Sequence, residues 1–462
     1  MMSRTIFVMT IAGLIACSHA ATVRGVGWRG DGTGRYPDAD PALEWAEDKN
    51  VVWVTPTDDW SHATPAVGAE RIFITAEPFG LIALNKADGK LLWHANHEYE
   101  DLPPGDEANG YLAAERIKRL ANEAKRELET VRKNLNELVN AEAKDEAKIA
   151  KLKSREARLA KRHAERSERY EAMAEFKKPG TSPNCEYASA SPVTDGRSVW
   201  VVFGNSVAAC YDQDGVRQWI RVIDKPGKQG FGHSSSPLLV DGMFVIQMDD
   251  LAAHDADTGE LRWRTDVEVM PGTPVMTRLD GKAVIVAPSG HIIRASDGAL
   301  LARVKAGIFN SPIVHDGIVY YASSMSGVAM AVKLPEKAEP FEPQILWKTT
   351  VVEGAHYYSS PVVHKGLLYT LAEFEGLSAL DAKTGELLYT RKLEISTAFP
   401  SVTVAGDHVL VTGQGGTTYV LEPQRQYTEV AKNKLEGFRS TPVFEGTRMY
   451  VRAKKNVYCI GR

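Results

Sequence analysis

The segment AHDADTGELRW, residues 253–263, decides the fold of this chain. Two strand-like stretches flank an Asp-Thr-Gly step, where glycine supplies the positive φ that a tight turn with a bulge needs. The pattern recurs as ALNKADGKLLW at residues 83–93 and as ALDAKTGELLY at residues 379–389. Each copy therefore predicts two antiparallel strands joined by a hairpin.

A second pattern precedes these hairpins and completes the repeat unit. A Ser/Thr-Pro or Pro-Ser step is followed by a glycine and then by a short β-branched and aromatic run, which is typical of strands. The steps are at Thr64-Pro65, Ser191-Pro192, Ser236-Pro237, Thr273-Pro274, Ser311-Pro312, Ser360-Pro361, Pro400-Ser401 and Thr441-Pro442. After Pro192 they are 45, 37, 38, 49, 39 and 42 residues apart. This period predicts one four-stranded propeller blade per unit.

The two ends of the chain complement each other. The last unit stops after three strands, whereas the strand VVWVT at residues 51–55 has no unit of its own. Pairing the two would leave no open edge between the first and last blades. The sequence thus predicts an all-β, eight-bladed β-propeller closed by an N-terminal strand.

An insertion interrupts the repeats, because Pro65 and Pro192 are 127 residues apart. Residues 107–178 are rich in Ala, Glu, Lys, Arg and Leu, and apolar residues recur in two series at the spacing of a coiled-coil seam. The series are Ala124, Leu128, Val131, Leu135 and Leu138, then Ile149, Leu152, Leu159, Tyr170 and Met173. We predict an inserted antiparallel α-helical coiled-coil hairpin, with helices of ~33 residues that project ~50 Å. Because it has its own seam, we expect its deletion to cost the propeller little stability.

These patterns divide the chain into five parts. We predict a signal peptide at 1–20, an N-terminal segment completing the last blade at 21–56, and the first blade at 57–105. The hairpin insertion occupies 106–180, and blades 2–8 occupy 181–462.

The first residues indicate export. Arg4 precedes an apolar run from Ile6 to Ala16 that is too short for a membrane anchor and ends near small residues, as secretory signal peptides do. Leu14-Ile15-Ala16-Cys17 also resembles a bacterial lipobox, in which the cysteine is lipidated. Both readings place the protein in the periplasm or outside the cell, and the second anchors it at Cys17.

The repeat units resemble the tryptophan-docking repeats of the quinoprotein (PQQ-dependent) alcohol dehydrogenase family. They are also similar to its non-enzymatic relatives, including the propeller lipoprotein of outer-membrane assembly. The N-terminal stretch WRGDGTGRYP, residues 28–37, is similar to that of the dehydrogenases. The resemblance implies that docking tryptophans stack between neighbouring blades, which here would be Trp93, Trp219, Trp263 and Trp347.

The formal charge of −4 over 462 residues argues against nucleic acid as a partner. The second predicted helix is nevertheless basic. Its cations are Lys144, Lys148, Lys151, Lys153, Arg155, Arg158, Lys161, Arg162, Arg166 and Arg169. They could touch an anionic surface, such as membrane headgroups or a polyanionic polymer, or form a solvated face with i,i+4 ion pairs.

Enzymes of the resembled family hold PQQ and a calcium ion in the propeller axis, often beside adjacent cysteines, and those with haem carry CxxCH. Here the four cysteines, Cys17, Cys185, Cys210 and Cys459, are widely spaced. We therefore expect no cofactor and no catalytic residue. The favoured function is a non-catalytic binding or scaffold protein for another protein or a polymer. The alternative is a PQQ-dependent alcohol or sugar dehydrogenase.

Three histidines are candidate metal or anion ligands. His62, His233 and His356 each precede the proline of their own unit by three to five residues, where loops approach one mouth of the axial channel. Imidazoles that converge from separate loops could bind a metal ion. Glu186 and Glu353, in the same kind of loop, could add carboxylates. Polar residues are also ordinary in such loops.

Overall fold

The computed structural model describes residues 26–462 apart from 58, 144, 183–184, 225–231, 324–325 and 375. The predicted signal peptide, and Cys17 with it, lies outside the described residues. Two short strands come first, β1 (Arg35–Tyr36) and β2 (Val51–Pro56). None of the helices described is long and apolar enough to cross a membrane.

Eight sheets follow, one for each repeat unit counted in the sequence, and the strands of each unit pair antiparallel. We number them by the chain order of their first strands. Sheet 1 contains β3 (Ala66–Val67), β4 (Arg71–Ala76), β5 (Gly80–Asn85) and β6 (Leu91–Asn96). Sheet 2 contains β7 (Val193–Thr194), β8 (Ser198–Val202), β9 (Val207–Asp212) and β10 (Arg217–Val222). Sheet 3 contains β11 (Leu238–Val240), β12 (Met243–Gln247), β13 (Leu251–Asp255) and β14 (Leu261–Thr265).

The remaining sheets repeat this order. Sheet 4 contains β15 (Val275–Leu279), β16 (Lys282–Val286), β17 (His291–Arg294) and β18 (Leu300–Arg303). Sheet 5 contains β19 (Ile313–His315), β20 (Ile318–Ala322), β21 (Val328–Lys333) and β22 (Gln344–Thr350). Sheet 6 contains β23 (Val362–His364), β24 (Leu367–Ala372), β25 (Gly376–Asp381) and β26 (Leu387–Arg391). Sheet 7 contains β27 (Thr403–Ala405), β28 (His408–Thr412), β29 (Thr417–Leu421) and β30 (Glu429–Lys434). Sheet 8 contains β31 (Val443–Glu445), β32 (Arg448–Arg452) and β33 (Asn456–Gly461).

Both N-terminal strands join the last two sheets. β2 pairs antiparallel with β33, with Trp53 opposite Cys459, and thus provides the fourth strand of sheet 8. This is the pairing that the incomplete last unit predicts. β1 pairs in parallel with β27 and extends sheet 7, an addition that the repeat pattern did not indicate.

A cycle of hydrogen bonds connects the starts of the first strands. The Ser or Thr of each step accepts the backbone N–H of its counterpart in the neighbouring sheet, over 2.8 to 3.2 Å. In the order donor to acceptor, the cycle runs Thr64, Ser191, Ser236, Thr273, Ser311, Ser360, Ser401, Thr441 and back to Thr64. We call these eight residues the hydroxyl ring. The first strands of sheets 1–7 also contact each other in order, so they lie innermost.

Tryptophans connect neighbouring sheets farther from the axis. Trp263 of sheet 3 donates from Nε1 to the backbone oxygen of Ala295 in sheet 4, at 2.8 Å. Its ring covers Gly298, where an added Cβ atom would lie 2.7 Å from the indole. Trp93, Trp219 and Trp347 repeat this contact with sheets 2, 3 and 6, and Trp53 repeats it with sheet 1. The implied inter-sheet role of the tryptophans is therefore present in the structure.

Two helices occupy the insertion between sheets 1 and 2. They are α1 (Asp106–Val139) and α2 (Glu146–Ala172), so the second is shorter than the predicted ~33 residues. Leu128, Val131 and Leu159 form a buried cluster between them. The helices run antiparallel, because Arg132 bonds Glu156 near the tip whereas Arg166 bonds the Leu120 oxygen nearer the sheets.

The base of these helices packs into the sheets. Tyr111 of α1 is 3% exposed and stacks on Tyr99, with ring centroids 4.4 Å apart. Tyr99 in turn donates to the Asn205 oxygen of sheet 2 at 2.9 Å. Phe176 packs edge-on against Tyr111 from the returning chain. We call Tyr99, Tyr111 and Phe176 the root. Because the root belongs to the core shared by sheets 1 and 2, the structure favours a larger loss of stability on deletion of the hairpin than its own seam alone predicts.

Candidate functional site

A cavity of about 460 Å³ lies inside the ring of sheets. All eight members of the hydroxyl ring line it, and none of them is more than 5% exposed. Each ring member directly precedes the first strand of its sheet or begins the approach to it, and residues that precede the ring members in the chain line the cavity as well. We call the end of the cavity that these preceding residues line the mouth.

The residues two positions before each ring member also line the cavity and form its rim. In the order of sheets 1–8 they are His62, Ser189, Ser234, Pro271, Phe309, Tyr358, Phe399 and Arg439. Sheets 5–8 thus present large side chains to the mouth, whereas sheets 2–4 present small ones. The rim side chains are therefore bulkier on the side of sheets 5–8 than on the side of sheets 2–4.

The large rim side chains form a continuous stack, which we call the rim stack. The rings of Phe309 and Tyr358 are nearly parallel, with centroids 6.4 Å apart, and those of Tyr358 and Phe399 are 5.4 Å apart. The guanidinium of Arg439 lies 4.3 Å from the centroid of Phe399, as in cation–π contacts. Its Nε donates to the Gln414 side-chain oxygen at 2.9 Å. These contacts hold half-buried aromatic edges and one cation in fixed positions.

The N-terminal segment covers the opposite end of the ring. Val26 bonds Thr194 at the end of β7, and β1 pairs with the end of β27. Between these points Trp28 lines the cavity, and Arg29 is completely buried. The cavity is therefore a cup with a mouth, a hydroxyl wall and a floor formed by residues near Trp28.

The three candidate histidines are not brought together. His62 lines the mouth with its ring 4.5 Å from that of Trp60, while His356 is exposed and its Nδ1 lies 3.3 Å from the Tyr358 hydroxyl. His233 is buried outside the cavity lining, and burial lowers its pKa to about 4. Within the described ranges, no group of three or more His, Cys, Asp or Glu side chains is placed to hold a metal ion.

The two candidate glutamates lie outside the cavity lining, and Glu353 is exposed. Glu186 is half-buried, and its negative charge helps to raise the pKa of another carboxylate, Glu77. Glu77 accepts the backbone N–H groups of Ala188 at 2.7 Å and Tyr187 at 3.0 Å, and so holds the chain where it returns from the hairpin. Burial raises the pKa of Glu77 to about 7, although these two N–H donors oppose the shift.

The lining does not match a calcium-bound quinone. Calcium takes about six to eight oxygen ligands, commonly from several carboxylates. Glu373 is the single carboxylate among the described residues that line the cavity, and the other oxygens are mostly hydroxyls. We therefore derive no redox step from this cavity.

The hairpin carries exposed cations. Helix α2 has nine Lys and Arg residues against five Glu. Some of these Lys and Arg residues follow one another at intervals of three or four residues, so they share one face of the helix. The exposed members of this subset are Lys148, Lys151, Arg155, Arg158, Arg162 and Arg169. Only Arg155 of this subset has an ion pair among the described residues, with Glu127 at 3.8 Å. We call this subset the basic stripe.

The rim was missed by the sequence reasoning, which searched the same loops for histidines. Neighbouring loops contribute different residue types to the rim, so no repeated letter marks it. Counting two residues back from each hydroxyl of a Ser/Thr-Pro step would have found it. The floor carried no comparable signal, because residues 26–36 have neither hydrophobic periodicity nor a unit of their own.

Comparison with known proteins gives one matching family and several structures with a similar fold. A family model described as outer membrane protein assembly factor BamB matches residues 39–115, 175–339 and 341–425. Comparison with curated proteins gives no match. The structure of BamB from Moraxella catarrhalis aligns with a TM-score of 0.54 and 11% identity, covering 89% of this chain and 99% of that one. Quinohemoprotein alcohol dehydrogenase from Comamonas testosteroni aligns with a TM-score of 0.53 and 10% identity, covering 90% and 78%. The computationally designed Ika8 protein aligns with a TM-score of 0.52 and 11% identity, covering 92% and 100%. At these identities the structural likeness establishes a propeller-type fold alone.

Proposed function

The chain belongs to the family of the outer membrane protein assembly factor BamB, and from this premise we propose that it is a non-catalytic binding protein for a protein partner outside the cytoplasm. The family name supports a role in outer membrane protein assembly. The eight sheets and the closed hydrogen-bond cycle support an eight-bladed propeller as the scaffold. Propellers offer broad rigid faces, and function depends on the site that such a face carries.

The rim stack carries the proposal. Aromatic residues and arginine are enriched at the energetic centres of protein interfaces, and the aromatic rings combine large contact area with little loss of side-chain entropy. Here three rings and a guanidinium are half-buried, mutually stacked and placed beside an open cavity. A partner loop that inserted one side chain into the mouth would contact this prepared surface. We therefore assign the mouth as the docking face.

The hairpin supplies a second contact area near the same mouth. It interrupts the connection that leads from sheet 1 to the hydroxyl ring residue Ser191, so its root lies at the mouth end of the ring. We propose that α1 and α2 form a coiled-coil arm and that the basic stripe faces an anionic polymer or membrane surface. Such an attraction would weaken with added salt. Anchoring through Cys17 would hold the arm near a membrane.

The described residues that line the cavity do not support the oxidoreductase alternative, because they supply a single carboxylate for a calcium ion. If protein supplied with PQQ and calcium oxidised alcohols with a saturable change in quinone absorbance, the binding proposal would fail. The absence of such activity alone would not establish binding, so a positive test is also needed.

Site-directed photo-crosslinking provides that test. A photoreactive amino acid placed at Tyr358 in cells that produce the protein should form adducts with components of outer membrane protein assembly, identified by mass spectrometry. Tyr427 is a matched control, because it is a half-buried aromatic on the connection between β29 and β30 and lies outside the cavity lining. Equal adducts at both positions, or none at Tyr358, would overturn the assignment of the mouth.

A further inference from the structure

An arginine of the N-terminal segment is hydrogen-bonded to a histidine of the ring of sheets. Nη1 of Arg35 in β1 lies 2.8 Å from Nδ1 of His315, the last residue of β19. A guanidinium can only donate hydrogen bonds, so Nδ1 must accept this one and the imidazole must carry its single proton on Nε2. A protonated His315 would instead turn an N–H group toward the guanidinium. This hydrogen bond therefore exists only while His315 is uncharged.

A second imidazole lies close to the same guanidinium. His364 ends β23 in the neighbouring sheet 6 and is 9% exposed. Both of its ring nitrogens are buried, and neither has a hydrogen-bond partner in the part of the chain that the structure describes. Burial lowers the pKa of His364, and the positive charges of Lys365 and Arg35 lower it further. Protonation of His364 would thus add a second buried cation near Arg35.

The carboxylates around the two imidazoles offer little compensation for such a charge. An oxygen of Asp316 lies 3.4 Å from Nε2 of His315, but this side chain is 85% exposed, so water and salt screen the attraction. Asp407 favours the protonated form of His364 but is itself paired with Lys365 at 2.8 Å. Burial and the neighbouring guanidinium lower the pKa of His315 in spite of Asp316. The folded chain therefore favours the neutral form of both imidazoles.

We propose that Arg35, His315 and His364 form a pH-sensitive clasp, which holds β1 against the ring of sheets at neutral pH and loosens it at acidic pH. Protonation of His315 replaces a hydrogen bond with repulsion between two cations, and protonation of His364 adds to that repulsion. Because β1 belongs to the N-terminal segment that forms the floor of the cup, the loosening weakens the floor without separating the sheets. The inference does not depend on the docking of a protein at the mouth.

Hydrogen exchange of the full chain at pH 7.5 and pH 5 tests the clasp. The backbone N–H groups of Val404 and Gly406 donate to the oxygens of Gly34 and Tyr36, at 2.9 Å each, so their exchange reports on the attachment of β1. An imidazole that is neutral in the attached state and titrates near pH 6.5 in the loosened state changes this equilibrium by about 30-fold between the two pH values. His315 is partly exposed, which reduces the effect. We expect the protection factors of the two amides, corrected for the intrinsic exchange rate, to fall by about tenfold at pH 5.

Amides of β24 in sheet 6 are the internal reference, since they do not contact β1 and should keep their protection. A fall in protection of similar size in β24 would show general destabilisation in place of a clasp. Unchanged protection of Val404 and Gly406 at pH 5 would also contradict the proposal.

Three variants connect the effect to the clasp. Arg35→Gln keeps an N–H donor for neutral His315 but removes the positive charge, so most of the loss of protection at pH 5 should disappear. The double variant His315→Gln and His364→Gln has no imidazole to protonate there and should lose no more protection than β24. His94→Gln, on the exposed side of β6, should lose as much as the wild type. If Arg35→Gln or the double variant lost protection as the wild type does, the clasp would not be the cause.

Discussion

The backbone N–H of Thr441 donates a hydrogen bond to the hydroxyl of Thr64, 3.1 Å away, although 377 residues separate them in the chain. This contact joins the last sheet to the first and closes the cycle around the cavity. It has the same form as the seven contacts between consecutive sheets. The closure of the ring therefore depends on side chains near its axis as well as on the pairing of β2 with β33.

The closing hydrogen bond predicts an effect on stability. Thr64→Val leaves the buried N–H of Thr441 without its acceptor, which should lower the free energy of unfolding by about 1–3 kcal/mol. Thr64→Ser keeps the hydroxyl and should stay within about 1 kcal/mol of the wild type. Urea unfolding of both variants provides the measurement. An equal loss in both would attribute the effect to the methyl group of Thr64.

Tryptophan docking predicts a difference between two glycines. Gly298 and Gly281 have φ values of +71° and +72°, so alanine is strained at both. At Gly298 the new Cβ atom would also lie 2.7 Å from the Trp263 ring, whereas at Gly281 nothing lies within 4 Å. Gly298→Ala should therefore cost about 1–3 kcal/mol more than Gly281→Ala, the usual range for overpacking. Thermal unfolding of the matched pair tests the contact, and equal losses would show that the indole moves freely.

Glu77 predicts a pH dependence. Its pKa is raised from 4.5 to about 7 in the folded protein, so folding favours the protonated form. The stabilisation from this proton is complete below pH 4.5 and is lost as the pH rises through 7. Relative to Glu77→Gln, the wild type should lose about 2 kcal/mol between pH 4.5 and 8, since one pKa unit corresponds to about 1.4 kcal/mol and partial solvation reduces the effect. Chemical unfolding at several pH values measures it, with exposed Glu260→Gln as the control. A constant difference between wild type and Glu77→Gln would contradict the shift.

The root predicts which part of the hairpin supports the sheets. Tyr111→Ala removes a buried ring that stacks on Tyr99 and should destabilise the sheets by about 3 kcal/mol, as large aromatic truncations do. Leu128→Ala, within the cluster between the helices, should loosen the hairpin and leave unfolding of the sheets almost unchanged. Hydrogen exchange resolved by segment distinguishes the two. Equal protection of sheets 1 and 2 in both variants would show that the hairpin is independent.

The sequence predicted most of the fold for a clear physical reason. Every unit repeats the same turn chemistry, so Gly89, Gly259 and Gly385 all adopt the positive φ that the hairpins require. The unpaired strand at residues 51–55 likewise found its partner in β33. The hairpin turns depend on local backbone geometry, and the pairing of the two ends follows from counting the strands of each repeat unit.

The site was less accessible to such reasoning. The rim stack arises because Phe309, Tyr358 and Phe399 occupy equivalent places in consecutive sheets, and only the ring geometry makes them neighbours. The root was not predicted either, because neither helical series in the sequence includes Tyr99 or Tyr111, which the structure stacks together. Burial of Arg29 depends on how the N-terminal segment crosses the ring, which no repeat encodes. The three histidines occupy similar loops in the sequence, but these loops place only His62 in the cavity lining among the described residues, not His233 or His356.

The central claim is that the mouth binds a protein partner through the rim stack, and complementation in cells tests it most directly. Cells that lack the protein are supplied with the wild type, with the Tyr358→Ala and Phe399→Ala double variant, or with Tyr427→Ala, and the amounts of folded outer membrane proteins are measured. We predict that the double variant folds with a Tm close to that of the wild type but fails to restore these amounts, whereas Tyr427→Ala restores them. Full restoration by the folded double variant would contradict the account.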